Sequence, residues 1–179
     1  MLTDPVFKGH GWVALVLAVA LLLDGTLAQV LAQWLMVPAF TGVPQLTLMA
    51  LVMIALVLPD EAYIVAIAAV VGLIADSFYT GMLGVNLLLW PLLVYVVRQI
   101  EPLIPKTALY VGAVVILTLI TYIVANYFVA RFLGATSVGL IPLIARHVGP
   151  GLTVNLILFA LVYAPLARLL KSLRIAEQD

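Results

Sequence analysis

The sequence predicts an all-α integral membrane protein, a single domain of about six transmembrane helices. Two observations predict it. Of 179 residues, 66% are hydrophobic and only 9% are charged, with mean hydropathy +1.28. An average soluble domain is about 45–50% apolar and about 25% charged, so a water-soluble fold could not cover this chain with polar groups. The second observation is punctuation. Pro, Gly and charge clusters divide the chain into six apolar runs joined by short links, and no link is long enough to fold alone. Net charge is +0, so nothing favours nucleic acid. With no cysteine, disulfides and thiolate chemistry are excluded.

The runs fall at 12–35, 45–58, 62–78, 85–97, 107–132 and 151–170. The first could pass for a signal sequence. It continues past Asp24-Gly25 and lacks a small-residue cleavage site, so it reads as a retained first helix. Residues 36–44 hold Pro38, Gly42 and Pro44 and read as a loop or shallow re-entrant turn. Pro59-Asp60-Glu61 is a tight polar turn whose acids can serve the start of the third helix. Gly81 and Gly84 mark the next turn, and Pro102 and Pro105 the link after the fourth run. Residues 134–150 form the largest loop, and Pro165 lies near the end of the sixth run. The second and fourth runs are short. Thirteen or fourteen residues rise about 20 Å, against a hydrocarbon core of about 30 Å.

Lys and Arg set the expected orientation. With the N-terminus cytoplasmic, Lys8, Arg98, Lys106, Arg168, Lys171 and Arg174 lie inside, against Arg131 and Arg146 outside. Both termini are therefore expected in the cytoplasm.

Ionisable groups inside apolar runs are costly, by roughly 2.5–3.5 kcal/mol for Asp at a helix centre. Two need a reason. Asp76 shares a helical face with Ala62, Ala69 and Gly72, so it is expected to point into the bundle. It could be wetted at the interface or cap the following turn; it could serve packing or a partner contact; or it could couple ions, for which no mid-span His or Lys offers a base. Asp24, with Gly25, Thr26, Gln29 and Gln33, either marks a first helix shorter than it looks or borders a solvated cavity. Thr118, Tyr122 and Asn126 recur every four residues and form one stripe, expected to hydrogen-bond between helices. Ala14 and Ala18, and Ala28 and Ala32, are small-xxx-small pairs that suit helix docking. Trp12 and Trp34 suit interfacial anchors, whereas mid-span Trp90 suits packing.

No catalytic constellation is present. His10 and His147 are too few for a metal cluster of their own, and no HExxH, nucleophile elbow or phosphate loop occurs. The sequence points to no catalytic residue, no metal and no cofactor.

At the third and fourth runs the text becomes specific. Gly72-Leu-Ile-Ala-Asp76-Ser-Phe-Tyr79-Thr-Gly81-Met-Leu-Gly84-Val-Asn86, followed by Pro91 and Tyr95, resembles the signature of the MreD family of rod shape-determining membrane proteins. The Asp-Ser-Phe-Tyr-Thr-Gly form, and the earlier Leu-Leu-Leu-Asp24-Gly25, resemble members from Gram-positive bacteria. The resemblance implies a non-catalytic multi-pass subunit of the bacterial plasma membrane, acting in cell-wall elongation and lateral peptidoglycan synthesis. It implies MreC as a direct partner, within a complex that includes MreB, RodA and its transpeptidase. By family analogy it also implies a fold like the substrate-binding subunits of ECF-type transporters. The competing expectation is that the chain is itself such a vitamin-binding transport subunit, with an outward pocket near Asp24 and Gln29.

Overall fold

The structure, a computed structural model, describes residues 9–37, 40–136 and 139–175. Lys8, Pro38 and the last four residues lie outside them, as do the side chains of Arg146 and Arg174.

Helices dominate. α1 spans His10–Val30 and a four-residue α2 spans Ala32–Leu35. The 36–44 link then forms a minimal antiparallel hairpin, with Met36 opposite Thr41 and Val37 opposite Phe40. α3 is Leu46–Val57 and α4 is Ile64–Ala75, extended by a π-helical segment, Asp76–Thr80. α5 covers Val85–Ile100, a short 3-10 turn covers Glu101–Leu103, and α6 covers Ala108–Phe132. Beyond it lie α7, Leu140–Leu143, a second π-helical segment, Ile144–Val148, and α8, Gly149–Ile175.

Among the described residues, three helices are long and apolar enough to cross a bilayer: His10–Val30, Ala108–Phe132 and Gly149–Leu173. Six of the described helices lie along the six expected apolar runs, and three of them have full spanning length. The others differ from expectation in instructive ways. The fourth is longer than its apolar run, because Arg98 and Gln99 continue the helix to Ile100. The sixth starts at Gly149 rather than Gly151. Pro150 is tolerated there because a first-turn residue needs no intrahelical N–H bond. Part of the expected 134–150 loop is helical, in α7, the Ile144–Val148 segment and the first residues of α8.

α3, at 12 residues, is as short as α4 and the most enclosed of the main helices. All twelve of its residues are buried. Its length, about 18 Å, is therefore not matched to lipid at all. α1, α4, α5, α6 and α8 pack around it, so its apolar surface on every side meets protein. That is the pattern expected of a helix hydrophobic all round. By contrast, Leu15, Val19 and Leu22 of α1 are exposed. So are Leu109, Leu117 and Phe128 of α6, and such an apolar exterior suits lipid.

Candidate functional site

α3 begins without a cap of its own. The residue before it is Gln45, whose side chain makes no capping bond. The first N–H groups of a helix lack intrahelical acceptors and are costly to bury unpaired. Here another helix supplies the acceptor. Asp24 of α1 receives Leu46 N–H at 2.6 Å on Oδ1, and Thr47 N–H at 2.7 Å and the Thr47 hydroxyl at 2.6 Å on Oδ2. Asn155 of α8 holds the approach from the other side. Its Oδ1 accepts Gln45 N–H at 2.8 Å and its Nδ2 donates to Val43 O at 2.9 Å. At the opposite end Arg98 of α5 donates to Leu58 O at 3.2 Å and Pro59 O at 2.7 Å. A carboxylate at the N-terminus and a guanidinium at the C-terminus both complement the helix dipole.

The same device recurs at α5. Asp76 has no solvent exposure. Its carboxylate accepts Gly84 N–H at 2.9 Å, Asn86 N–H at 2.9 and 3.1 Å, and Leu87 N–H at 3.1 Å. The turn that brings those donors back is built on two left-handed residues, Gly81 at φ 68° and Gly84 at φ 101°, where a Cβ would be strained. Gly72 lets α5 close onto α4: a Cβ there would stand 2.5 Å from the Asn86 carbonyl oxygen. The signature Gly72…Asp76…Gly81…Gly84-Val-Asn86 is therefore one piece of geometry, a helical hairpin locked by a buried acid. Of the roles open to Asp76, the structure favours capping. The cap, however, serves the next helix rather than the turn alone.

From Asn86 the bonding passes to α6. Tyr122 donates its hydroxyl proton to Asn86 Oδ1 at 2.8 Å, and Asn126 Nδ2 donates to the Tyr122 hydroxyl at 3.2 Å. Two members of the expected stripe thus join the network. Thr118 does not, since its hydroxyl turns back to Val114 O of its own helix at 2.8 Å. Ala62 also departs from expectation. It is exposed in the turn before α4, and the buried face of that helix is Ile64, Ala68, Gly72 and Ala75, with Ala69 half-buried beside it. The helix starts two residues late because Glu61, fully buried, accepts Tyr63 N–H at 3.1 Å and fixes the first turn there. His10 Nδ1 lies 2.6 Å from Glu61 Oε2, pinning the start of α1 to the same turn.

Tyr79, three residues after Asp76, reaches α1 close to Asp24. Its hydroxyl donates to Leu21 O of α1 at 3.1 Å, and its ring lies where a Cβ on Gly25 would be. Pro91 sits inside α5, and Trp90 beside it is buried. Ala14 and Ala18 lie on the exposed side of α1, Trp12 is exposed near its start, and Trp34 is exposed in α2. The acid caps on α3 and the Arg98 cap were not foreseen. The available signal was negative: residues 44–47, Pro-Gln-Leu-Thr, open an apolar helix with no acid of their own.

This arrangement fixes helices to one another. Both aspartates are occupied by N–H and hydroxyl donors. The route from Asp76 to Tyr122 passes through the amide of Asn86, which does not relay protons. Among the described residues, no group of three His, Asp or Glu side chains gathers as a metal site would require.

Comparison with known proteins decides the family. The profile described as rod shape-determining protein MreD matches residues 11–173. The chain belongs to the MreD family. No curated protein and no solved structure matches it. The match covers all eight helices except the ends of α1 and α8, and the hairpin centred on Asp76 lies in its middle. MreD membership and the apolar helices make this an integral membrane protein of the rod-shape machinery. They lend no support to the vitamin-transport reading.

Proposed function

We propose that this MreD protein is a non-catalytic, multi-pass scaffold of the cell-wall elongation machinery, crossing the plasma membrane six times with both termini cytoplasmic. It binds MreC directly, and through MreC it supports peptidoglycan synthesis by the complex that contains MreB, RodA and its transpeptidase. The family match over residues 11–173 carries the reading. The structure adds support of a physical kind. Its buried polar groups fix helices to one another, and its outer faces are apolar, with small residues at Ala14 and Ala18 of α1. We assign the exposed Ala14–Ala18 side of α1 to the partner's single membrane helix, since small residues let helix backbones approach closely.

Three short helices are compatible with six crossings. α3 meets protein on every side and needs no hydrocarbon match. α4 with its π-helical extension, Ile64–Tyr79, and α5, Val85–Ile100, each rise about 24 Å, near enough to span a thinned bilayer.

Affinity purification in mild detergent tests the reading. The wild-type chain should retain an MreC homologue, and an Ala14→Leu/Ala18→Leu variant should retain at least about five-fold less at unchanged thermal stability. Wild-type protein that retains no MreC homologue would refute direct binding. Depletion that left cell width and length unchanged would refute the role in shape.

A further inference from the structure

α1 and α8 both pack on α3, and between them runs a groove of about 320 Å³. Trp12, Val19 and Leu23 line it from α1, Phe159 and Leu169 from α8, and Leu46 from the start of α3. The three α1 residues are 53%, 47% and 45% exposed, so the groove opens outward along that helix. Among the described residues no charged side chain lines it. Water needs polar partners to stay in such a place, whereas hydrocarbon does not. The dimensions choose among apolar occupants. Trp12 to Leu23 rise about 16 Å, which matches the roughly 15 Å of hydrocarbon in one leaflet. Over that length the volume leaves a mean section of about 20 Å². That is too narrow for a helix about 10 Å across and wide enough for one extended hydrocarbon chain. The groove ends at the cap on α3, where Leu23 precedes Asp24 and Leu46 donates to it.

The other end of the groove carries charge. Arg168 immediately precedes the lining Leu169, and Lys171 follows within the next turn. Both are exposed, and neither meets a carboxylate among the described residues. Basic side chains beside a membrane attract anionic headgroups, and their long stems reach along apolar surface to do so. We propose that the α1–α8 groove binds one acyl chain of a phosphate-bearing lipid, whose headgroup is held by Arg168 and Lys171. The bound chain fills the seam between the two helices. That the lipid belongs to the cytoplasmic leaflet rests on the topology proposed above; the groove itself does not. Neither Ala14 nor Ala18 lines it, so the lipid and the partner helix take different flanks of α1.

Native mass spectrometry of the full chain, released from nanodiscs of phosphatidylcholine and phosphatidylglycerol in equal parts, tests this. Four proteins are compared. They are wild type; Val19→Trp, which fills the groove; Leu117→Trp, which adds bulk on the exposed face of α6; and Arg168→Gln/Lys171→Gln. Wild type and Leu117→Trp should each retain about one phosphatidylglycerol per chain. Val19→Trp and the glutamine pair should each retain at least about five-fold less, with helical content unchanged by circular dichroism. No retained lipid in wild type, or equal retention in Val19→Trp and Leu117→Trp, overturns the site. Equal retention in wild type and the glutamine pair overturns the headgroup contact. If Val19→Trp does not fold, the glutamine pair, which alters only exposed side chains, decides alone. The lipid count is made without MreC, so a failure of MreC binding leaves it standing. Ser172→Cys, a lone thiol in a chain without cysteine, reads the leaflet. A membrane-impermeant maleimide should label it in inverted vesicles and not in intact cells. Labelling in intact cells would overturn the topology and the cytoplasmic leaflet, but not the lipid count.

Discussion

Asp24 and Asp76 do the same job in different surroundings. Each lies on an odd-numbered crossing in the proposed topology, each caps the N-terminus of a short helix that follows, and each has a close-packed glycine nearby. Asp76 is wholly buried and reaches donors only eight to eleven residues ahead, at Gly84, Asn86 and Leu87. Asp24 is half-buried, lines a cavity of about 770 Å³, and reaches donors twenty-two and twenty-three residues ahead, at Leu46 and Thr47. The first locks a local hairpin. The second ties the central helix to a distant element. The contrast teaches how a membrane bundle can start a helix below the interface: the acceptor that water would supply must come from protein.

Consequences should scale with burial. Asp76→Leu strands several buried N–H groups and should cost about 3–5 kcal/mol. It should be seen as loss of monodisperse protein in size-exclusion chromatography from mild detergent. Gly72→Ala comes next, at about 2–3 kcal/mol, because its Cβ meets the Asn86 backbone, which has little freedom to yield. A fall in thermal midpoint without change in helical content would register it. Asp24→Asn should cost about 1–2 kcal/mol, since one amide oxygen still accepts and the cavity side admits relaxation. An effect as large as that of Asp76→Leu would break the comparison. Smallest is Tyr79→Phe, which removes one hydrogen bond to Leu21 O, worth about 0.6 kcal/mol in membrane bundles. Tyr79→Ala in a Gly25→Ala background should rescue part of the Gly25→Ala loss, because the three atoms nearest to the added Cβ all belong to the Tyr79 side chain.

The same contrast governs what could be read from sequence. Hydropathy and the Pro and Gly punctuation located the six main helices, because burial in lipid and helix breaking are local properties of the chain. The Asp76 hairpin was legible for that reason too: acid, left-handed glycines and the next helix lie within a dozen residues. Asp24 was recognised as needing a partner, but Thr47 could not be named, because the pairing depends on how α1 and α3 cross. His10 with Glu61, and Arg98 with Leu58 and Pro59, were hidden likewise. Arg98 looked like a topology signal and serves also as a helix cap. Ala62 was misplaced because helical periodicity was extended two residues past the start that Glu61 fixes. The 36–41 hairpin carried no strand signal, being only two residues on each side.

The central claim is that Asp76 acts as a hydrogen-bond acceptor for α5 rather than as a charge. The direct test compares the thermal midpoints of Asp76→Asn and Asp76→Leu, both against wild type, in the same mild detergent. Asparagine keeps an acceptor oxygen and loses the charge; leucine loses both. Capping predicts that Asp76→Asn retains at least half of the stability that Asp76→Leu loses. Equal losses in the two variants would contradict it and assign the role to the charge itself.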